Sequence, residues 1–270
     1  MFFFFFFFFF KQKTAYEFSA CLVGSGMCIR DSLLTEQNGI PEYPELEGAL
    51  RLPNLDGRPC RARSLPPDAE VPEGLHRVGL RAAFDLLPHN IYIMAGKAAE
   101  LLYWDKTTRF CGRCGAPMAM HTDISKRCTR CGSEVWPALQ AAIIVAVTRR
   151  GGEEILLVQS KNFRGDYYGL VAGFVETGET LEECVAREEM EETGLRIRDL
   201  RYVASQPWPF PCGLMIGFEA ETDDENIVLQ RSELNKGGWF TRQNLPAIPG
   251  KVSLARKLID RWLEKQKRGL

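Results

Sequence analysis

Residues 173–195 read GFVETGETLEECVAREEMEETGL, and this stretch decides the fold. A glycine-containing loop leads into a charged segment whose signals are those of a helix over 180–193. Thr180 with Glu183 forms a capping box, and Gly194 is a natural stop just past the last turn. Leu181, Cys184, Val185 and Glu188 then fall broadly on one side, while Glu188, Glu191 and Glu192 stand three and four residues apart and crowd together. Like charges at these spacings repel by about 0.2–0.5 kcal/mol per pair, and a bound cation reverses the sign. Oxygen ligands clustered without His or Cys suit Mg²⁺ or Mn²⁺, which bind through a few carboxylates and the oxygens of substrate phosphates. A solvated acidic helix would carry the same local pattern, so the helix alone leaves both readings open.

Working outward, AAIIVAVTR and EEILLVQ are apolar runs separated by Gly151 and Gly152, the pattern of a hairpin. Strands are expected around RYVASQ and LMIGFEAE, with a further one at Trp239 and Phe240. VSLARKLIDRWLEKQ closes the chain as a helix with Val252, Ala255, Leu258, Ile259 and Trp262 on one side. Strands and helices mixed in this order predict an α/β class domain, an α/β/α sandwich. Upstream, residues 33–75 are rich in Pro, Gly and charge and suggest a small β-rich domain. Residues 78–87 and 91–105 show helical spacing, the second through Ala98, Leu101, Leu102 and Trp104. No internal repeat is visible.

Two cysteine pairs lie between these regions. Cys111 and Cys114, then Cys128 and Cys131, offer four thiolates, and each close pair can clamp one edge of a tetrahedron. With four protein ligands no position is left for water, so the expected Zn²⁺ is structural. His121 reads as an ordinary loop histidine. Arg109, Arg113, Lys126, Arg127 and Arg130 against Asp123 and Glu134 give the ribbon a small positive surplus, either a solvated face or a surface that meets phosphates. Of the nine cysteines, two fall in the first 32 residues and only Cys60, Cys184 and Cys212 remain single. That usage fits a reducing compartment, and the cytoplasm is the expected location.

The spacing of residues 173–195 is that of the Nudix hydrolase signature G-x5-E-x7-R-E-U-x-E-E-x-G-U. It is matched by Gly173, Glu179, Arg187, Glu188, Glu191, Glu192, Gly194 and Leu195. At roughly 5–7% usage per residue type, its seven fixed letters coincide by chance in about one window in 10⁸ to 10⁹. Glu189 departs from it, standing where the pattern has an apolar residue. Downstream, Ser205-Gln-Pro-Trp-Pro-Phe-Pro211 resembles the SQPWPFPxS array of the NAD(H) pyrophosphatases of this superfamily, in which a four-cysteine ribbon also precedes the Nudix domain. Three prolines alternating with Gln206, Trp208 and Phe210 make a stiff aromatic loop suited to a flat base or nicotinamide. Where the array ends in Ser this chain has Gly213, preceded by Cys212, so a hydroxyl contact is lost.

The resemblance covers residues from about 80 to 262. It implies a Nudix α/β/α sandwich preceded by a zinc ribbon and a small N-terminal α+β domain. It implies hydrolysis of NADH or NAD⁺ to nicotinamide mononucleotide and AMP, removal of a 5′ NAD cap from RNA, and a homodimer. Glu188, Glu191 and Glu192, the carbonyl of Ala172 and Glu233 would hold Mg²⁺ or Mn²⁺, with Glu191 as the base. Arg187 would brace the carboxylates and Glu179 orient the loop. The substrate side would be lined by Phe174 (from the partner subunit), Gln206, Pro207, Trp208, Pro209, Phe210, Pro211, Cys212, Gly213 and Ala255. Hydrolysis of ADP-ribose or another dinucleotide is the competing activity, and a non-catalytic nucleotide-sensing module the competing class. Inactive members usually lose carboxylates from the signature, and here all are present.

Composition bounds the rest. The chain has 270 residues, 45% hydrophobic and 26% charged, with net charge −1, the proportions of an ordinary globular protein and not of one that coats nucleic acid or an anionic membrane. The aromatic count misleads, because nine of the 17 Phe are consecutive at 2–10. That run is too short for a bilayer span, which needs about 20 residues. No basic residue precedes it to make a secretory signal. Together with KQKTAYEFSACLVGSGMCIRDS it resembles translated adapter sequence, and the expectation is a non-native lead over 1–32 whose truncation leaves activity intact. Without Lys11, Lys13, Arg30, Glu17 and Asp31 the remainder carries 31 basic and 33 acidic residues, so the charge conclusion is unchanged. The expected divisions are then 33–106 for the N-terminal domain, 107–137 for the ribbon and 138–266 for the Nudix domain.

Overall fold

The computed structural model describes residues 48–65, 70–71, 73–163 and 165–268, together with the backbone of strands at 3–10, 18–24, 30–35 and 42–43. The chain divides into two compact units, Met1–Leu139 with Trp208–Cys212, and Gln140–Pro207 with Gly213–Leu270.

In the first unit, β1 (Phe3–Phe10), β2 (Phe18–Gly24), β3 (Arg30–Thr35), β4 (Glu42–Tyr43), β5 (Leu50–Leu55), β6 (Arg58–Leu65) and β7 (Leu75–Gly79) form a sheet ordered β4-β1-β6-β2-β3-β7, with β5 paired to β6. The expected boundary at residue 32 falls inside β3. The helix expected at 78–87 is replaced by the end of β7 and a single 3₁₀ turn, Ala82–Phe84. Val78 and Leu80 are both buried, two residues apart, which is strand spacing and not helix spacing. The second expected helix is α1 (His89–Thr107), which packs against β5 and β6 and buries Tyr92, Ala95, Ala98, Ala99, Leu102 and Trp104.

The ribbon follows as a three-stranded sheet of β8 (Met118–Thr122), β9 (Ser125–Cys128) and β10 (Glu134–Val135), ordered β10-β9-β8. Each cysteine pair is followed by a glycine in the left-handed region, Gly115 and Gly132, both at φ 72°. A side chain would be strained there. The turns repeat the same bonds: Gly115 N–H donates to the Cys111 carbonyl and Gly132 N–H to that of Cys128.

The second unit is built on β11 (Gln140–Arg149), β12 (Glu154–Ser160), β13 (Val171–Phe174), β14 (Arg198–Trp208), β15 (Gly213–Glu221) and β16 (Leu234–Phe240), ordered β14-β15-β11-β12-β16 with β13 paired to β11. β11 runs parallel to β15 and antiparallel to β12 and β13. Gly151 and Gly152 turn the β11–β12 hairpin, both with positive φ. Alternation along β11 sorts the core. Ile143, Val145 and Val147 pack with Cys184 and Val185 of α2 (Leu181–Thr193), whereas Ile144 and Ala146 pack with Leu254, Ala255, Leu258, Ile259 and Trp262 of α3 (Leu254–Arg268). A sheet covered on both faces needs both sets of side chains apolar, which is why AAIIVAV reads as a continuous run.

Candidate active site

α2 begins and ends where its sequence signals place it. Thr180 Oγ1 accepts from Glu183 N–H, Glu183 returns the bond by accepting Thr180 N–H, and Gly194 closes the helix at φ 72°. Cys184 and Val185 anchor the helix in the core, and Glu188, Glu191 and Glu192 project beyond it.

Arg187 organises these carboxylates. Its Nε and Nη2 hold Glu179 in a two-pronged pair at 2.7 and 3.0 Å, and its Nη1 donates to Glu188 at 2.8 Å and to Glu191 at 3.2 Å. Nη2 also reaches the Phe174 carbonyl at 3.1 Å, tying the helix to the end of β13. A planar guanidinium with five donors can serve these acceptors together, which an ammonium cannot. Glu179 additionally accepts the backbone N–H of Glu176, and Arg187 with that bond holds its carboxyl down at about 2. The loop 173–179 is thereby closed around the helix start.

Gly173 shows why the signature opens on glycine. A Cβ built there would lie 1.9 Å from Cδ of Glu188, so the carboxylate crosses the space a side chain would fill. Glu192 is partly buried, and burial, followed by the charges of Glu188, Glu233 and Glu191, raises its carboxyl to about 7. That influence brings Glu233, beside the start of β16, into the same electrostatic neighbourhood as the helix trio. The donor set fits a hard divalent cation: carboxylates only, mutually repelling, with Glu188 admitted over Gly173 by the lack of a side chain there. The ligand oxygens do not converge, however; among the described residues the only tight group of three or more metal-type ligands is the cysteine quartet. Repulsion spreads the carboxylates, and Arg187 draws Glu188 and Glu191 to itself.

Glu189, which stands where the signature has an apolar residue, is fully buried. Its Oε2 accepts from Thr193 Oγ1 at 2.8 Å, Oε1 has no partner among the described residues, and burial pushes the carboxyl up to about 8.

The remaining expected residues fall in three places. Phe174 is 62% exposed, and Ala172 lies beside it on β13. Gln206 donates to the Val252 carbonyl at 2.7 Å, three residues ahead of buried Ala255. Pro207 precedes the tip 208–212, which groups with the first unit, and Gly213 opens β15. Within that unit the Trp208 and Phe210 rings meet edge to face at 5.1 Å, Pro209 is buried beside Gly96 of α1, and Pro211 and Cys212 complete the turn. The sequence reading missed Arg81, whose guanidinium lies 4.9 Å from the Trp208 ring centre and 4.4 Å from that of Phe210. Only its place after the short run Val78-Gly-Leu could have drawn notice.

In the ribbon, Cys111 and Cys131 Sγ are 3.7 Å apart and Cys114 and Cys128 Sγ 3.5 Å, with all four within 4.8 Å. A tetrahedral Zn²⁺ with Zn–S near 2.3 Å requires S–S separations of about 3.8 Å, so the quartet fits a structural zinc. A backbone N–H from Ala116, then Arg130, lowers the Cys114 thiol to about 6, favouring the thiolate that a metal needs. Lys126 is not part of a positive surface. It is buried, and its Nζ binds the carbonyls of Asp105 and Thr108 and the Asp105 carboxylate. Arg127 pairs with Glu134, and Arg130 caps the Cys114 carbonyl.

Comparison with known proteins agrees with this arrangement. Residues 138–262 match the NUDIX domain, 106–135 the NADH pyrophosphatase zinc ribbon domain, and 30–104 the NADH pyrophosphatase-like rudimentary NUDIX domain. The chain is 40% identical over 233 residues to the NAD-capped RNA hydrolase NudC of Deinococcus radiodurans, covering 84% of this chain and 82% of that protein. It is 41% identical over 248 residues to the protein of the same name from Stutzerimonas stutzeri, covering 88% of each. Among solved structures, a NUDIX hydrolase from Nitrosomonas europaea shares the fold at a TM-score of 0.50 and 24% identity, over 60% of this chain and 93% of that one. Signature, ribbon and relatives agree, and the chain belongs to the zinc-ribbon-containing NADH pyrophosphatase family of Nudix hydrolases, of which NudC is the named representative.

Proposed function

We propose that this enzyme hydrolyses the diphosphate of NADH and NAD⁺ to nicotinamide mononucleotide and AMP, and that it removes the NAD cap from the 5′ end of RNA by the same reaction. The observation that carries this reading is the carboxylate set held by Arg187, with the Glu188 carboxylate lying over Gly173 in the space a side chain there would fill. The family relationship supplies the substrate class.

Glu188, Glu191, Glu192 and Glu233, with the Ala172 carbonyl, are the groups that would hold Mg²⁺ or Mn²⁺. Bound there, a divalent cation would neutralise the diphosphate and acidify a water. The chain's own part is to align and deprotonate. Water attacks one phosphorus, the P–O bond to the bridging oxygen breaks, and the water's proton passes to a carboxylate, read as Glu191. Arg187 keeps Glu188 and Glu191 in fixed rotamers, and Glu179 fixes Arg187. Most of the barrier lowering is electrostatic in this scheme. The resemblance assigns substrate contacts to Gln206, Pro207, Trp208, Pro209, Phe210, Pro211, Cys212, Gly213 and Ala255, and Phe174 would stack from the second subunit of a homodimer. The zinc ribbon at 107–137 would be structural, between an N-terminal domain at 33–106 and the Nudix domain at 138–266. Four of the seven described cysteines gather at one metal-type site, which supports a reducing, cytoplasmic setting. Among the described residues no helix is long and apolar enough to cross a membrane.

Product analysis on NADH, NAD⁺, ADP-ribose and NAD-capped RNA with Mg²⁺ or Mn²⁺ tests the reading. Nicotinamide mononucleotide and AMP from NADH are expected, with ADP-ribose a poorer substrate. Near-wild-type turnover by Glu192→Gln at saturating Mn²⁺ would refute the metal site, and ligand binding without turnover would favour a sensing module.

A further inference from the structure

Most cations of the ribbon are committed to structure, as the partners of Lys126, Arg127 and Arg130 make plain. Two are not. Arg109 and Arg113 are exposed, and their side chains make no hydrogen bond or ion pair among the described residues. Between Arg109 and the first zinc ligand stands Phe110, 63% exposed, with the Arg109 guanidinium 5.9 Å from its ring centre. Its backbone is not loose. Phe110 bridges Pro117, and Met118 N–H donates to the Arg109 carbonyl at 3.0 Å, so the backbone that carries the ring is anchored next to the zinc ligand Cys111. The ring borders a shallow recess of about 430 Å³ lined by Asp105, Arg109, Phe110, Pro117, Met118 and Lys126. The one carboxylate in that lining, Asp105, is already neutralised by Lys126 at 2.8 Å.

An exposed aromatic ring beside one arginine, with a second exposed arginine three residues on, is a combination that binds single-stranded nucleic acid: a base stacks on the ring and phosphates meet the guanidinium groups. Stacking is indifferent to base identity, as a body of arbitrary sequence requires. A protein partner would favour a larger apolar patch without paired cations at its rim.

We propose that the recess at Arg109 and Phe110 is a subsite for the RNA body of a capped transcript, with one base on Phe110 and adjacent phosphates on Arg109 and Arg113. This rests on the capped-RNA reading above, and it adds a place where RNA, but not NADH, is held.

The test uses the full-length chain as wild type, Phe110→Ala, Phe110→Tyr and Arg109→Ala, each checked for one zinc per chain. Binding of an uncapped, fluorescein-labelled ten-nucleotide RNA is followed by anisotropy at several salt concentrations, and turnover is measured on NADH and on NAD-capped RNA. The expected result is RNA binding weakened at least about fivefold in Phe110→Ala and restored in Phe110→Tyr. Arg109→Ala should lower the salt slope by about 0.7. NADH turnover should be unchanged in all variants while kcat/KM on capped RNA falls with the binding. Unchanged RNA affinity in Phe110→Ala and Arg109→Ala overturns the subsite, as does an altered oligomeric state with RNA affinity intact. Failure of the wild type to cleave NADH would instead strike the functional reading, and the anisotropy of uncapped RNA would still decide the subsite.

Discussion

Gly173 lies directly beneath the carboxylate of Glu188: a methyl group at 173 would fall 1.9 Å from its Cδ and 1.9 Å from Oε1. The first letter of the signature is therefore a steric allowance for a carboxylate 15 positions later and not a turn requirement, since Gly173 has no positive φ. Gly173→Ala should fold, because the methyl group meets a side chain and not the core, yet displace Glu188 by an ångström or more. A loss of about 100-fold in turnover is expected, with circular dichroism unchanged and weaker Mn²⁺ binding. Full activity in this variant would show that Glu188 can leave its place without consequence.

Arg187 joins Glu179, Glu188, Glu191 and the Phe174 carbonyl through one guanidinium. It touches neither product nor scissile bond in the scheme above and acts by positioning. Arg187→Gln should lower kcat by about 10–100-fold, the usual cost of removing a group that orients metal ligands. Arg187→Lys should recover little, since a lysine cannot serve four acceptors in a plane. Steady-state kinetics across Mn²⁺ concentrations provide the measurement, and a defect wholly repaired by excess metal would show that Arg187 governs affinity alone.

Glu189 is a buried carboxyl with one oxygen unpartnered among the described residues. Its folded-state value near 8 stands above the ordinary 4.5. Below the lower value both states are protonated and no ionisation cost arises. As pH rises from there toward 8, the unfolded chain releases a proton that the native state retains, so stability falls and then levels off. Glu189→Leu, which restores an apolar residue at this point of the signature, should therefore stabilise the fold by about 1–3 kcal/mol at pH 8. The gain should be smaller at about pH 4, where the neutral carboxyl carries no ionisation cost. Thermal melts of both proteins across that range decide it; a gain independent of pH would mean that packing, not ionisation, sets the difference.

Cys128 accepts backbone N–H groups from Arg130 and Cys131 and lies 3.5 Å from Cys114 Sγ. Cys128→Ser, or treatment with a zinc chelator, should reduce zinc from about one per chain toward none. It should also expose the ribbon to limited proteolysis, because so short a sheet cannot bury enough surface to stand without its metal. Zinc retained at full stoichiometry after the substitution would contradict a four-thiolate site.

The sequence by itself determined what is local. α2 is bounded by signals within one turn of its ends, Thr180 with Glu183 and Gly194, and the β11–β12 hairpin by two adjacent glycines. The cysteine quartet and the Nudix signature are fixed by spacing along the chain, and spacing is preserved on folding. Where only weak periodicity was available, at 78–87, the local reading went astray, because Val78 takes its conformation from the sheet it joins and Leu80 falls in the turn that follows. Tertiary structure alone decided what depends on separation in space. It put Glu188 in the place of a side chain at 173, gathered four partners on Arg187, laid Arg81 over Trp208 and Phe210, and buried Glu189 and Lys126 while leaving Phe110 exposed. Each is a matter of which surface a side chain faces, and burial is set by neighbours distant in sequence. The order of residues reports chemistry; only the packed chain reports which of those groups water can reach.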